Sequence, residues 1–243
     1  MARRKKIANG RTASGGQLNG LLLTDQFKPI TQAQNDVFES WNEDYNLFLY
    51  GCAGTGKTMV ALFLALNELI KHPELYEKVY IVRSAVATRD MGFMPGTLSE
   101  KSLVYELPYI QLIKKLFSRG DAYDIMKQKE KVIFLTTSYL RGVTFDNCIV
   151  LADECQNFAK NEYHTLITRI GKNSRIIVSG DIDQTDLLKH KTDSSGMIEF
   201  MKIIAELEEF DMVRFEVDDI VRSGLVKNYI KARLRLGLGS IIG

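Results

Sequence analysis

A glycine-rich stretch follows the apolar run "NLFLY" and precedes a segment with helical spacing. Its pattern, G-x-x-x-x-G-K-T, is that of a P-loop between a strand and a helix. In such a loop the glycines let backbone N–H groups surround phosphates, the lysine reaches the β- and γ-phosphates, and the final hydroxyl ligates Mg²⁺. The stretch therefore predicts a site for ATP and Mg²⁺. Its residues are Gly51, Cys52, Ala53, Gly54, Thr55, Gly56, Lys57 and Thr58.

Two adjacent acids, Asp153 and Glu154, end the apolar run "NCIVLADE". A carboxylate at the end of a strand can hold the Mg²⁺ shell, and its neighbour can orient and deprotonate an attacking water. Kinases that pass a phosphoryl group to a substrate hydroxyl do not need the second acid here. The pair therefore predicts hydrolysis, with Asp153 as a metal ligand and Glu154 as the catalytic base.

Two glutamines complete the candidate site. Gln184 follows the apolar run "RIIVSG", where its amide can bond both the γ-phosphate and the attacking water. Gln34, in "KPITQAQ", offers a donor and an acceptor together, which suits the N6 and N7 edge of adenine. We predict that Gln184 senses the γ-phosphate and that Gln34 binds the base.

The elements that position these residues follow an alternating order from residue 46 onward, which is typical of a parallel sheet covered by helices. The predicted strands are "NLFLYG", "KVYIVR", "KVIFLTT", "NCIVLAD", "SRIIVSG" and "DMVRFEV". The predicted helices run from Lys57 to Ile70, Glu162 to Ile170, Ser195 to Glu208 and Ser223 to Leu236. Residues 92–130 form an insertion with mostly helical spacing. The predicted fold class is α/β, as in P-loop NTPases of the RecA-like type.

Composition excludes several classes of protein. The 243 residues are 45% hydrophobic and 26% charged, which suits one soluble domain, and no apolar run approaches the length of a membrane span. The basic N-terminus lacks the apolar stretch of a signal peptide. Three cysteines are too few for a disulfide framework, so reduced thiols and a cytoplasmic location are expected.

Charge is concentrated at the two ends of the chain. Residues 1–24 and residues 220–243 each carry five bases and no acid, so the part between them has a net charge of 2 − 5 − 5 = −8. Basic ends suit a polyanionic partner. We predict a flexible tail at 1–24, one ATPase domain at 25–236 and a short tail at 237–243.

Six stretches together resemble the PhoH-like ATPases, a family related to superfamily 1 helicases. They span about residues 28–233 in the order of the family: "KPITQAQ", "GCAGTGKT", "MGFMPGTLSEK", "YLRGVTFDNCIVLADECQN", "LITRIGKNSRIIVSGDIDQTDL" and "DIVRSGLVKNYIKA". The resemblance implies ATP hydrolysis with Mg²⁺, and it implies roles for Lys57, Thr58, Asp153, Glu154 and Gln184 that agree with those argued above. By the same resemblance Gln34 binds adenine.

The chain departs from the family pattern in "RSAV", where a proline usually follows the arginine, and in "ECQN", where "EAQN" is usual. We expect neither the RNA-binding KH module nor the PIN-type nuclease domain that some relatives have. A compact core of this kind, together with Arg89 and Asp90 where Gly-Glu is common in the family, would fit a phage or accessory version, and a phage version would act in the cytoplasm of the host.

Arg222 matches the "D-[IV]-V-R" element of the family and lies beyond the last predicted strand. An arginine that stabilises transition-state charge must reach the phosphate. Because superfamily 1 helicases place such an arginine on a second motor domain, we predict a ring of subunits, with a hexamer as one option, in which Arg222 completes the site of a neighbour. Arg169 is the second candidate, and a contact within one chain is the alternative. A surface salt bridge to Asp218 or Asp219 would leave Arg222 without a catalytic role.

Two functions from different classes follow. The first is an ATPase coupled to binding or remodelling of RNA or single-stranded DNA, for which aromatic residues of the insertion (Phe93, Tyr105, Tyr109 and Phe117) could stack bases or pack in the core. The second is a nucleotide switch that acts on a protein partner without nucleic acid.

Overall fold

The structure is a computed structural model that describes residues 20–23, 27–84, 98–181 and 195–236. Within them six parallel strands form one sheet in the order β3-β2-β4-β5-β1-β6. The strands are β1 (Asn46–Gly51), β2 (Lys78–Arg83), β3 (Val132–Thr136), β4 (Cys148–Asp153), β5 (Arg175–Gly180) and β6 (Phe210–Phe215). Every predicted strand is present within two residues of its predicted bounds, and the predicted α/β class is confirmed.

Helices cover both faces of the sheet. They are α1 (Gln32–Asn42), α2 (Lys57–Lys71), α3 (Leu98–Phe117), α4 (Ala122–Gln128), α5 (Lys160–Thr168), α6 (Ser195–Ile204) and α7 (Gly224–Arg235). The four predicted helices correspond to α2, α5, α6 and α7, and α6 ends four residues before its predicted end. The insertion supplies α3 and α4, as its spacing indicated.

Successive side chains of each strand pack on opposite faces of the sheet. In β4, Ile149 and Leu151 pack on the face covered by α1 to α4, whereas Val150 and Ala152 pack on the face covered by α5 and α6. All six residues of β4 are buried. A strand buried on both faces reads as a continuous apolar run, and that is why the sequence locates it so well.

Strand order decides which loops meet. β5 lies between β1 and β4, with Tyr50 opposite Gly180 and Ala152 opposite Val178. The three strands are parallel, so the P-loop, the acidic pair and the segment after Gly180 emerge at one edge of the sheet. Ligands of open parallel sheets bind at this carboxyl edge.

The packed part of the chain extends into the segment predicted as an N-terminal tail. Leu21 is 1% exposed and belongs to the core cluster that also contains Val37 and Trp41, and Leu23 packs against that cluster. The three cysteines are buried, and none of them is in a disulfide in the described part of the chain. Among the described residues, no helix combines the length and the apolar character that crossing a bilayer requires.

Candidate functional site

The P-loop joins β1 to α2 through backbone that only glycine adopts easily. Gly51 has φ +117°, and Gly56, which precedes α2, has φ +88°. No side chain caps the first turn of α2. The first N–H groups of a helix have no partner within the helix, so this terminus presents donors to an anion.

Lys57 stabilises the loop from within. Its ammonium group donates to the carbonyl oxygens of Gly51 at 2.9 Å and of Cys52 at 2.6 Å. Burial lowers the pKa of Lys57, and the nearby carboxylates of Asp181 and Asp153 oppose that shift. The ammonium therefore lies between the loop and the acids, where the phosphates of a nucleotide would meet it.

Asp153 accepts hydrogen bonds from two hydroxyl groups. The Thr58 hydroxyl lies 3.0 and 3.1 Å from its two carboxylate oxygens, and the Tyr109 hydroxyl donates to Oδ2 at 2.9 Å. Burial raises the pKa of Asp153, and so does the neighbouring charge of Glu154, whereas the hydroxyl donors lower it.

The same contacts test whether the site suits Mg²⁺. Magnesium prefers oxygen ligands and is usually held by one or two carboxylates together with phosphate oxygens and water. The structure brings the Thr58 hydroxyl and the Asp153 carboxylate, both predicted metal ligands, into direct contact at the end of the P-loop. These residues fit the ion.

Glu154 has a left-handed backbone, with φ +53° and ψ +40°. Only a few per cent of residues other than glycine have positive φ, and such strain is concentrated at functional sites. Gln156 holds the Glu154 side chain: its Nε2 donates to Oε2 of Glu154, and its Oε1 accepts from the backbone N–H of Asp181 at 2.9 Å. Gln156 thereby connects the predicted base to the end of β5.

Gln34 lies against the P-loop. Its Nε2 donates to the carbonyl oxygen of Thr55 at 3.0 Å, and its Oε1 accepts from the Ile30 N–H at 3.0 Å. The amide group has one further N–H and one further lone pair, which is the pair that adenine recognition requires. Gln184 lies outside the described residues, so its predicted role remains a prediction.

Arg222 lies over the P-loop of its own chain. A Cβ placed on Gly54 would be 3.0 Å from Cγ and 3.8 Å from Nε of Arg222. The preceding residue fixes this position, because the Val221 N–H donates to the Gly54 carbonyl at 3.1 Å. This geometry is the contact within one chain, which was the alternative; the favoured contact between subunits stays a prediction.

Neither the surface salt bridge nor Arg169 receives comparable support. Asp218 pairs with Lys231 at 2.8 Å, and no ion pair of Arg222 with either Asp218 or Asp219 occurs among the described residues. Arg169 ends α5 beside Phe145, at the amino edge of the sheet. A six-residue strand spans about 20 Å, so Arg169 is remote from the P-loop of its own chain.

Of the four aromatic residues predicted either to stack bases or to pack in the core, the three that the structure describes are buried or half-buried. Tyr109 and Phe117 are buried, and Tyr105 is half-buried with the Arg83 guanidinium 5.8 Å from its ring centroid. Phe93 lies outside the described residues. Tyr109 and Phe117 are therefore not available to stack bases.

Helix α7 has both basic and apolar side chains on its surface. Leu225 is 81% exposed and Tyr229 is 59% exposed, and the Arg233 guanidinium lies 5.9 Å from the Tyr229 ring centroid. Lys227 and Lys231 bond to Asp218. This helix offers a surface for either a polyanion or a protein.

Sequence reasoning did not identify Gln156 and assigned Tyr109 another use. Gln156 stands two residues after Glu154, and this closeness to the acidic pair is the feature of the sequence that could have identified it. Tyr109 precedes Asp153 by 44 residues and gives no such signal.

Comparison with known proteins gives a consistent result. A model of the family described as PhoH-like protein matches residues 26–233. Protein PhoH of Escherichia coli K12 is 34% identical over 203 residues, which are 83% of this chain and 56% of that protein. A PhoH-like protein of Synechocystis is 32% identical, and this chain covers 55% of its length. A PhoH-like protein of Bacillus subtilis is 30% identical, and this chain covers 62% of its length. The chain thus spans little more than half the length of these relatives.

Two solved structures are similar over much of this chain. A Bacteroides Pif1 bound to single-stranded DNA has a TM-score of 0.40 at 11% identity, with 88% of this chain and 47% of that chain covered. The Sulfolobus solfataricus SWI2/SNF2 ATPase core in complex with double-stranded DNA has a TM-score of 0.43 at 15% identity, with 79% and 47% covered. At these TM-scores and identities, the two structures provide no evidence about the function of this chain.

Proposed function

The chain belongs to the PhoH-like protein family, and from this premise we propose that it binds ATP with Mg²⁺ and hydrolyses it at the carboxyl edge of the sheet. One observation carries the proposal: Lys57, the Thr58 and Asp153 pair and the strained Glu154 converge on the P-loop. The bound Mg²⁺, held by Thr58 and Asp153, would neutralise charge on the β- and γ-phosphates.

Lys57 and α2 bind the phosphates. Lys57 now donates to the carbonyl groups of Gly51 and Cys52, and phosphate oxygens would replace these acceptors when ATP enters. The N–H groups at the start of α2 supply further donors without reorganisation, because the loop already presents them. Gln34, tied to Thr55, would orient adenine at the side of the loop.

Glu154 is the general base for the water that attacks the γ-phosphate. The water oxygen attacks the γ-phosphorus, the bond to the β-phosphate oxygen breaks to leave ADP, and the water proton passes to the Glu154 carboxylate. Oε2 of Glu154 is engaged by Gln156, so Oε1 is the oxygen that receives the proton. Gln184 would report whether the γ-phosphate is attached.

Replacing Arg222 with alanine is expected to lower the rate of ATP hydrolysis at least about tenfold, because the guanidinium stabilises charge that develops on the phosphates. Steady-state phosphate release at saturating Mg²⁺·ATP measures the effect. Arg119→Ala is the matched control, since the one ion pair of this arginine among the described residues is an exposed pair with Asp121 beyond the end of α3. Equal rates for Arg222→Ala and wild type would contradict the role.

Mixing subunits separates the two arrangements proposed for Arg222. If Arg222 acts on its own P-loop, the site of a Glu154→Gln subunit lacks the base and the site of an Arg222→Ala subunit lacks the arginine. Every site in the mixture is then defective, so the mixture should be as inactive as each variant alone. Recovery of activity in the mixture would instead establish the site between subunits. The predicted ring stays a prediction that sedimentation of the same samples tests.

We further propose that hydrolysis is coupled to RNA or single-stranded DNA. The support is the basic segment 220–243, in which Tyr229 and Arg233 of α7 pair an exposed ring with a cation. Backbone phosphates need only suitably placed cations, and bases stack on exposed aromatic rings.

Polymers are expected to stimulate hydrolysis several-fold, by an amount that falls as salt rises, because released counterions favour the complex at low salt. The measurement is steady-state hydrolysis with single-stranded RNA, single-stranded DNA or duplex, with Glu154→Gln as the blank. Hydrolysis that depends on Glu154 but ignores every polymer would contradict the coupling.

A second candidate function has its own observation. Leu225 and Tyr229 expose large apolar surfaces on α7 directly after Arg222, and such surfaces suit contact with a protein. A nucleotide switch that moves a protein partner would use this helix. Indifference to all polymers in the same assay favours this alternative.

A further inference from the structure

Tyr109 connects the insertion to the candidate metal site. It lies in α3, directly after Pro108, and its side chain is 0% exposed. Its hydroxyl donates to Oδ2 of Asp153 at 2.9 Å. The two residues are 44 positions apart, so a residue of the insertion provides a direct partner to the carboxylate predicted to hold Mg²⁺.

Packing fixes the Tyr109 ring and so fixes the direction of its hydroxyl. The ring lies 5.8 Å from that of Phe134 on β3, and Ile113 and Leu116 bury the next two turns of α3 against the same core. A buried hydroxyl needs a hydrogen-bond partner. Movement of Asp153 away from Tyr109 would therefore require α3 to move as well, or would leave the hydroxyl unsatisfied.

The hydroxyl donors Thr58 and Tyr109 would respond differently to the binding of a metal at Asp153. Thr58 is itself a predicted ligand, so its hydroxyl would turn from Asp153 to hold the ion. Tyr109 is buried and donates from the insertion, where it can keep its bond to the carboxylate. A hydrogen bond to a side chain that binds a metal orients that side chain and tunes its affinity for the metal.

We propose that Tyr109 is a positioning residue for Asp153, through which the binding of Mg²⁺ with the nucleotide and the docking of α3 stabilise each other. This inference rests on the proposed function, since it assigns Asp153 to the metal. It gives the insertion a role in the ATP site: the state of the metal site is transmitted to α3, whose outer face exposes Leu103 and Leu107.

The test is the Mg²⁺ dependence of binding of a non-hydrolysable β,γ-imido analogue of ATP. Tyr109→Phe keeps the ring and removes the hydroxyl. Since loss of an outer-shell partner commonly costs about 10–100-fold in metal affinity, the variant should need that much more Mg²⁺ for half-maximal binding. Its affinity for the analogue in EDTA should equal that of the wild type, because the phosphate contacts of the P-loop are unchanged.

Tyr123→Phe is the matched control. Tyr123 is also a buried tyrosine of the insertion whose hydroxyl donates to a buried carboxylate, that of Glu106 at 2.9 Å, but it does not contact Asp153. The Mg²⁺ requirement of this variant should equal that of the wild type. An equal shift in both variants would show that loosened packing of the insertion, and not the bond to Asp153, causes the effect.

Hydrogen exchange provides a second readout that requires no turnover. Adding Mg²⁺ with the analogue should slow amide exchange in α3 of the wild type and of Tyr123→Phe, but not of Tyr109→Phe, whereas α2 should be protected in all three. Equal Mg²⁺ dependence and equal α3 protection in Tyr109→Phe and wild type would overturn the linkage alone. Absence of Mg²⁺-dependent binding in the wild type would overturn the proposed function and the linkage with it.

Discussion

Glu154→Gln is expected to lower the turnover of Mg²⁺·ATP by about 10²–10⁴-fold, which is the usual contribution of a general base. Glutamine has nearly the same shape but cannot accept the proton of the attacking water. The P-loop, Asp153 and Arg222 are untouched, so binding of ATP should persist. Phosphate release under single-turnover conditions, together with the affinity for ATP, measures both parts of the prediction.

The backbone at residue 154 explains why the effect should be confined to the chemical step. Glu154 has a left-handed conformation and is held by Gln156, which is itself bonded to the N–H of Asp181. Glutamine at 154 can keep the bond from Nε2 of Gln156 when its own amide oxygen faces that donor, and Oε1 of Gln156 then still accepts from Asp181. The substituted side chain therefore stays in place without the basic oxygen.

Glu199→Gln is the control for this substitution. Glu199 lies on α6 with its side chain 42% exposed, and it pairs with Lys160 on the other face of the sheet. Exposed pairs of this kind contribute about 0–1 kcal/mol, so neither stability nor turnover should change appreciably. A Glu154→Gln protein that hydrolyses ATP at the rate of Glu199→Gln would remove Glu154 from the mechanism.

Gly51→Ala is expected to reduce the free energy of unfolding by about 3 kcal/mol or more, through backbone strain and overpacking together. A Cβ at residue 51 would lie 2.1 Å from the carbonyl oxygen and 2.9 Å from the backbone nitrogen of Phe215 in β6. Gly51 also has φ +117°, a conformation that side-chain-bearing residues rarely adopt.

The clash cannot be relieved locally, because its partner is backbone of the neighbouring strand. The same Phe215 carbonyl accepts the Cys52 N–H at 3.0 Å, so moving β6 away breaks the bond at the start of the P-loop. For a domain of this size, about 3 kcal/mol corresponds to a fall in Tm of roughly 6–12 °C. Thermal and urea unfolding measure the change, and ATP affinity should fall with it.

Gly142→Ala provides the comparison at a permissive position. A Cβ at residue 142 would meet no atom within 4 Å in the described part of the chain. Alanine there should change the free energy of unfolding by no more than about 0.5 kcal/mol, as surface substitutions usually do. If both variants unfolded alike, the close approach of β1 and β6 would not be what requires glycine at 51.

The sequence by itself determined the strands and the types of the residues that lie at the carboxyl edge of the sheet. Strands β1, β2, β4 and β5 are apolar runs bounded by polar residues, and this local pattern arises because both faces of a parallel sheet are buried. The P-loop is equally local, since one strand, one turn and one helix form it. Gly51 to Thr58 and the pair Asp153 and Glu154 were therefore identifiable from residue types and spacing, and the structure places them at one edge.

Only the tertiary structure decided which distant residues contact that edge. Tyr109 reaches Asp153, Gln34 reaches Thr55, and the backbone at Val221 brings Arg222 over Gly54. Each contact depends on how helices pack and on the order in which strands pair, and neither is encoded in a short window of sequence. For this reason the sequence alone could not show that Arg222 lies over Gly54 of its own chain, and its predicted contact with a neighbouring subunit stays a prediction.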